Sequence, residues 1–225
     1  MGRPGAHRRA PVGGLSLSTV SVNAWMDEVC AAVVAEADRL TELDSAIGDG
    51  DHGNNLKRGF RAVVEALATG GDDLAPGRRL ILAGKTLVSK VGGASGPLWG
   101  TALRRAGRSL GDAEALDGPA LADALDAALA GIVELGAAQP GDKTMVDALT
   151  PATQALRTAV EAGQPLADAL AAAAEAAAEG ARSTVPMQAR KGRASYLGER
   201  SIGHEDPGAA STVLIISALG RALED

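Results

Sequence analysis

Three aspartates stand close together in the first quarter of the chain, at positions 44, 49 and 51. Carboxylates held this close repel one another, and a hard cation relieves that repulsion. An all-oxygen ligand set favours Mg²⁺ or Ca²⁺ over softer metals. Asp44, Asp49 and Asp51 are therefore candidate metal ligands. An Asp/Gly turn with solvated carboxylates is the alternative, and the residues alone leave both interpretations open.

The glycines among these aspartates match two familiar patterns only in part. Within residues 48–53 they have the spacing of a dinucleotide-binding loop, but no strand precedes them and the aspartates would face the pyrophosphate. Counted from Asp49, an EF-hand would need glycine and glutamate where the chain has Asn54 and Phe60. Neither motif is expected here.

A second chemical feature is the small-residue segment Gly-Gly-Ala-Ser-Gly-Pro over 92–97. Before a helix, such a segment exposes backbone N–H groups beside the positive end of the helix dipole, which suits a phosphate. An ordinary helix–helix turn is the alternative. Segment 141–145 is a third candidate, or simply a helix start with Asp142 as N-cap. Residues 84–86 resemble the end of a P-loop, but Arg79 stands where its first glycine belongs, so we interpret them as a chance match.

Segment 182–204 carries many charges and little helical periodicity. Such a stretch is typical of a functional loop or of disorder, and a lid over a charged ligand and a solvated surface loop both remain open. Carboxylates, a helix start and a basic loop together describe a site for a Mg²⁺–nucleotide complex. No separate catalytic group is evident, because His7, His52 and His204 have no obvious serine or cysteine partner.

Helices are expected to position these features. The chain has 225 residues, of which 47 are alanine and four are aromatic, which nearly excludes a β-sandwich or barrel and favours closely packed helices in one domain. Apolar spacing predicts eight helices and no convincing strand. The first helix is expected from about residue 19 to a polar break at 44–53, and the second from 52–55 to just before residue 70. The fourth starts at 96–97. The other five are expected over 78–90, 121–135, 142–162, 165–179 and 207–223.

Composition also limits the partners. The formal net charge is −6 and no basic stripe alternates with aromatic residues, so no nucleic acid is expected. No apolar run approaches the roughly 20 residues that span a membrane, and Cys30 is the only cysteine. Residues 1–14 are rich in arginine, glycine and proline and are interpreted as a disordered tail rather than a signal peptide. We expect a cytoplasmic protein with one domain over 15–225.

Four long segments between residues 43 and 212 closely resemble the nucleotide-binding L subunit of dihydroxyacetone kinase. They are LDSAIGDGDHGNN, VGGASGPLWGTAL, PGDKTMVDAL and MQARKGRASYLGERSIGHEDPGAAST. The resemblance implies an all-α, single-domain, eight-helix antiparallel α-barrel. It further implies that ADP or ATP sits at one end of the barrel, with its phosphates held through two Mg²⁺ ions.

The resemblance also implies a role for individual residues. Asp44, Asp49 and Asp51 occupy the three metal-ligand positions. The implied nucleotide contacts are His52, Gly53, Asn54 and Asn55 at the phosphates, Ala94 and Ser95 in the phosphate loop, Gly136 and Met145 at the base and ribose, and Arg193, Asp206, Pro207 and Gly208 in the closing loop.

In the family that the chain resembles, the triose is held elsewhere. A separate K subunit binds dihydroxyacetone covalently through a histidine, as a hemiaminal, and the L subunit delivers the γ-phosphoryl group of ATP to it. In one branch ATP exchanges freely. In the other, ADP stays bound as a coenzyme and is rephosphorylated by a phosphotransferase-system M subunit, and a free-standing chain of this length favours that branch.

Two other interpretations remain open from the sequence, and a third is disfavoured. The partner selects the sugar, so the kinase could serve a related ketose such as erythrulose. A non-catalytic nucleotide-state sensor that binds a regulator would have the same site, although the complete aspartate set favours transfer. The nucleotide domain of a bacterial fatty-acid kinase is disfavoured, because fused domains would be expected. The sequence also leaves a homodimer open.

Overall fold

The computed structural model describes residues 18–70 and 74–224, so the tail predicted over 1–14 lies outside the described residues. Within these ranges the chain is almost entirely helical. In chain order the elements are β1 (Thr19–Val20), α1 (Val22–Ala35), α2 (Ala37–Ile47), α3 (His52–Thr69), α4 (Pro76–Lys90), α5 (Ser95–Ser109), α6 (Gly118–Gly136), α7 (Met145–Glu161), α8 (Leu166–Ser183), a 3₁₀ helix (Arg193–Ser201), α9 (Pro207–Arg221) and β2 (Leu223–Glu224).

The helices close into a ring. From α3 to α9 each helix packs against the next one in sequence, α1 packs against α3, and α9 packs back against α1. Most of the connections are short, which makes neighbouring helices antiparallel. The predicted all-α, single-domain fold is confirmed. The first predicted helix is broken at Glu36 into α1 and α2, and α2 continues beside α3 and α9.

Small residues set the distance between the walls of the barrel. A Cβ atom on Gly84 would collide with the carbonyl of Gly100, and one on Gly77 would collide with the carbonyl of Gly107. The backbones of α4 and α5 therefore touch directly, which explains why this alanine- and glycine-rich sequence needs few large side chains. Trp25 is a buried exception that donates from Nε1 to the Ile215 carbonyl at 2.9 Å and so ties α1 to α9.

Three sequence-based expectations are corrected. Asp44 lies in the last turn of α2, not in the break between helices, because it continues a buried face with Leu40 and Ile47. The basic segment is not irregular throughout, since it contains the 3₁₀ helix. The two strands, β1 and β2, pair antiparallel and are too short to leave a pattern in the sequence.

None of the helices in 18–70 and 74–224 is long and apolar enough to cross a lipid bilayer.

Candidate functional site

A cavity of about 180 Å³ opens at one end of the ring, where α2 meets α3 and where α5, α7 and α9 begin. The connection from α8 to α9, residues 184–206, contributes the remaining wall and is called the basic loop below. Most of the lining comes from the segments that the sequence singled out. The lining residues are Asp44, Ile47, Gly48, Asp49, Asp51, His52, Asn55, Gly92, Gly93, Ala94, Ser95, Leu98, Lys143, Thr144, Met145, Lys191, Gly192, Arg193, Ala194, Asp206 and Pro207.

Asp44, Asp49 and Asp51, called the aspartate triad below, face one point of this cavity. Each offers a carboxylate oxygen, and the three atoms lie within 4.8 Å of one another. Asp44 also shapes the turn between α2 and α3, because its Oδ2 accepts the backbone N–H groups of Asp51 at 2.9 Å and His52 at 3.2 Å. The turn needs Gly50, whose φ is +72°.

The aspartate triad fits a divalent cation. Within the described residues its only ion pair joins Asp49 Oδ2 to Arg193 Nε at 3.1 Å, and the Arg193 side chain is 68 % exposed. One solvated guanidinium leaves most of the negative charge of three carboxylates uncompensated. An all-oxygen donor set of this charge suits a hard cation such as Mg²⁺ or Ca²⁺, and the assignment of these residues as metal ligands stays a prediction.

His52 connects the aspartate triad to the start of α5. Its Nε2 lies 3.0 Å from Ser211 Oγ, and its Nδ1 lies 3.1 Å from Ser95 Oγ. Ser211 already donates its hydroxyl hydrogen to the Gly208 carbonyl, so we assign the ring hydrogen to Nε2 and let Ser95 donate to Nδ1. Burial lowers the pKa of His52, although the carboxylates of Asp44 and Asp51 oppose that shift. A neutral ring is consistent with this assignment.

The N-terminus of α5 presents backbone N–H groups at the cavity. Ala94 is its N-cap residue and no side chain caps the helix, so the first-turn N–H groups remain free for a ligand. Gly93 has φ +67° and carries no side chain that would separate the loop from the aspartate triad. Asn55 lies against Gly92 and accepts a hydrogen bond from Arg58 Nη2 at 2.7 Å. A helix start without a side-chain cap is compatible with a phosphate loop, and that role stays a prediction.

Asp206 is the N-cap residue of α9 and lines another wall of the cavity. Its carboxylate caps the helix by accepting the Ala209 N–H at 2.7 Å. Burial raises the pKa of Asp206 to about 7, while the Ala209 N–H and the ammonium of Lys143 favour the charged form. Burial likewise lowers the pKa of Lys143, against the pull of Asp206 and Asp147. This corner of the cavity therefore holds charges that are poorly solvated.

We expect Asp206→Asn to change how stability depends on pH. The raised pKa means that the folded protein binds this proton more tightly than the unfolded chain, so ionisation costs stability as pH rises from about 4 to about 7. Asparagine keeps a helix-capping oxygen and carries no charge. The free energy of unfolding of the variant, minus that of the wild type, should therefore increase across this pH interval. Urea titrations at several pH values measure it, and a constant difference would contradict the assignment.

Eleven of the fifteen predicted site residues line the cavity. They are Asp44, Asp49, Asp51, His52, Asn55, Ala94, Ser95, Met145, Arg193, Asp206 and Pro207. Their individual contacts with metal or nucleotide stay predictions.

The other four predicted residues lie behind the cavity wall or beside it. Gly53 is buried, and a side chain there would collide with the Ala37 carbonyl, so its visible role is close packing of α3 on α2. Asn54 is exposed on the outer face of α3. Gly136 ends α6 next to Leu98 of the wall, and Gly208 lies close to the Asp206 carboxylate.

The sequence singled out segment 141–145 as a candidate but assigned no site role to Lys143 or Thr144, which both line the cavity. The helix start was predicted there, but the N-cap is Thr144 and not Asp142. Thr144 and Asp147 form a reciprocal capping box, a signal that the sequence contained. No comparable pattern indicates that Lys143 is 1 % exposed.

A model of the DAK2 domain matches residues 46–221 of this chain. The chain belongs to the DAK2 domain family. DAK2 relatives with curated names include the ADP-binding subunit DhaL of the PEP-dependent dihydroxyacetone kinase of Escherichia coli, which is 43% identical over 94% of this chain and 100% of that subunit. L-erythrulose 1-kinase of Mycolicibacterium smegmatis is 42% identical over 91% of this chain, which spans only 35% of that protein.

The DAK2 fold is also present in a solved structure. The dihydroxyacetone kinase of C. freundii, crystallised in complex with AMP-PNP and Mg²⁺, matches 98% of this chain with a TM-score of 0.68 and 24% sequence identity. The chain spans 37% of that larger polypeptide. At this identity the likeness establishes the shared fold.

Proposed function

We propose that this chain is the nucleotide-binding subunit of a multi-subunit dihydroxyacetone kinase. In this role it binds ADP or ATP with Mg²⁺ and passes the γ-phosphoryl group to dihydroxyacetone, which a separate K subunit holds covalently. The main support is the cavity that places the aspartate triad opposite the uncapped start of α5. The relation to the E. coli ADP-binding subunit, which is matched over its whole length, supports the same role.

In the proposed mechanism, the chain's own residues bind and orient the nucleotide. Asp44, Asp49 and Asp51 would hold two Mg²⁺ ions, which neutralise phosphate charge when bound. The backbone N–H groups at the start of α5 would donate hydrogen bonds to phosphate oxygens. Lys191 and Arg193 add positive charge from the basic loop, and the apolar side chains of Leu98 and Met145 offer a surface for the base. No group on this chain needs to act as a nucleophile, since the attacking hydroxyl belongs to the triose.

We propose the branch in which ADP is a coenzyme that a phosphotransferase-system M subunit rephosphorylates. The E. coli relative is named for a PEP-dependent kinase, which supports this branch. ATP-dependent turnover is the alternative. Dihydroxyacetone is the proposed substrate, and the 42% identity to an L-erythrulose kinase keeps a four-carbon ketose as the second candidate, because the partner subunit selects the sugar.

Protein purified without added nucleotide is expected to carry ADP. A coenzyme must survive many turnovers, and phosphates enclosed between fixed dipoles, cations and the basic loop should leave slowly. Denaturation followed by anion-exchange chromatography of the supernatant measures the bound nucleotide per chain. Empty protein that exchanges ADP rapidly, and that turns over with ATP once a K subunit is added, would assign the chain to the ATP-dependent branch.

Arg193→Ala is expected to reduce that bound ADP. Arg193 reaches from the basic loop to Asp49, so its loss removes a cation that lies beside the proposed phosphate site. Arg105→Ala is a matched control, because it breaks an exposed ion pair with Glu134 on the outside of the barrel. Equal ADP content in the two variants would exclude a role for Arg193 in retention.

A further inference from the structure

Lys143 is a buried cation with an unusual set of partners. Its side chain is 1 % exposed, and its Nζ donates to the carbonyl of Thr184 at 2.6 Å and to the carbonyl of His204. Among the described residues no carboxylate forms an ion pair with it. A buried ammonium destabilises a protein unless its donors are used, so these two hydrogen bonds must matter for the local structure.

The two carbonyls belong to the two ends of the basic loop. The chain leaves α8 at Thr184 and returns to α9 after His204, so one ammonium joins both ends. Two further hydrogen bonds join these two ends, which are together called the loop base below. The Asp206 N–H donates to Thr184 Oγ1 at 2.9 Å, and the Gly203 N–H donates to the Val185 carbonyl at 2.8 Å. The loop therefore leaves and returns at a single, closed base.

The turn that carries Lys143 is itself rigid. Lys143 has a left-handed backbone with φ +62°, which is uncommon for a residue with a Cβ atom. The Asp147 carboxylate holds the turn by accepting the N–H groups of Gly141 at 2.5 Å and Thr144 at 2.8 Å. The Asp142 carbonyl accepts the Arg190 N–H at 3.1 Å, which attaches a third point of the basic loop to the same turn.

The fixed loop base determines where Arg193 lies. The Arg193–Asp49 pair spans the cavity at 3.1 Å, but its side chains are 68 % and 38 % exposed. An ion pair so open to solvent contributes little by itself and cannot hold the loop in place. We infer that Lys143 is a positioning residue, which fixes the basic loop so that Arg193 faces the aspartate triad. This inference rests on the proposed function, in which that loop retains a nucleotide.

Lys143→Met tests the inference, because methionine has similar bulk and the same backbone requirement but no donors. We expect Mg²⁺-bound mant-ADP, a fluorescent ADP, to leave the variant faster by on the order of ten-fold in stopped-flow measurements. Lys85→Met is the matched control on the exposed face of α4 and should release the probe at the wild-type rate. Unchanged release from Lys143→Met would overturn the inference.

A double-mutant cycle distinguishes positioning from a general structural role. If Lys143 acts through Arg193, Lys143→Met should cause little further acceleration in an Arg193→Ala background. Fully additive effects would overturn the inference. If Lys143→Met fails to fold, Thr184→Val opens the same loop base by removing the acceptor of the Asp206 N–H, and the same cycle applies. Wild-type release from that variant would also count against the inference.

Hydrogen exchange without nucleotide provides a readout that is independent of the proposed function. In Lys143→Met, the amides of Ala189, Arg190 and Gly203 should exchange faster, because their hydrogen bonds lie within the loop or join it to the turn. Amides in α1 and α5 should be unchanged. Faster exchange throughout the chain would overturn the inference. If the wild type binds no Mg²⁺–mant-ADP, the proposed function fails while the exchange result still decides whether Lys143 holds the loop.

Discussion

Asp51→Asn is expected to weaken Mg²⁺-dependent ADP binding by at least about 100-fold while leaving the fold intact. Asparagine has nearly the same shape but removes one of three negative charges from an oxygen cluster that spans 4.8 Å. Asp51 is the best member of the aspartate triad to replace, because it is the N-cap residue of α3 without a side-chain capping bond. Asp44, by contrast, accepts two backbone hydrogen bonds, so its loss would also disturb the turn.

Isothermal titration calorimetry with ADP, in the presence and absence of Mg²⁺, measures this effect. Asp168→Asn is the matched control, since it makes the same change on an exposed carboxylate in the first turn of α8. Circular dichroism should show wild-type helical content in both variants. The unfolding midpoint of metal-free Asp51→Asn should be no lower than that of the wild type, because like-charge repulsion is relieved. Wild-type affinity in Asp51→Asn would remove the metal assignment.

The purified chain by itself is expected not to phosphorylate dihydroxyacetone, and addition of a K subunit should create the activity. Attachment of the triose as a hemiaminal requires a free histidine nitrogen at the site. Of the two histidines in the described residues, His52 has both ring nitrogens in hydrogen bonds with hydroxyl groups. His204 is exposed and does not line the cavity. The described residues therefore show no histidine that is placed to attach the triose at the cavity.

Formation of dihydroxyacetone phosphate can be followed through a coupled NADH assay in which the M subunit and its phosphoryl donor are present in every reaction, so that bound ADP is rephosphorylated. Four reactions are needed: the chain alone, the K subunit alone, both together, and both with Asp51→Asn in place of the wild type. Only the third should show turnover. Robust turnover by the isolated chain would refute the division of the active site between two subunits. Replacing dihydroxyacetone by erythrulose in the third reaction tests the second candidate substrate.

The local sequence was sufficient to predict the helices and the chemical groups of the site that lie close together along the chain. Apolar residues three or four positions apart identified the helical faces, because that spacing depends only on the helical repeat. The aspartate triad spans residues 44–51, so the short chain between its members keeps their carboxylates near one another. The glycine-rich start of α5 was predicted for the same reason, since its exposed N–H groups are a property of the segment itself.

Helix boundaries at the site were less predictable. Asp44 is polar and precedes a glycine-rich turn, so the sequence suggested that the helix had ended, whereas burial against neighbouring helices extends α2 to Ile47. Glu36 shows the opposite case: the apolar spacing continues through it, yet the helix breaks there. At Asp44, contacts distant in sequence outweigh local preference.

The tertiary structure alone decided how the distant parts of the site meet. Arg193 contacts Asp49, His52 contacts Ser211, and Lys143 reaches Thr184 and His204 only because the ring closes and brings α2, α3, α7 and α9 to one end of the barrel. Burial shifts the pKa values of Lys143 and Asp206 for the same reason, since desolvation depends on every element packed around a group. Sequence alone thus determined which chemical groups the protein carries near one another along the chain, while chain closure determined which of them share a cavity.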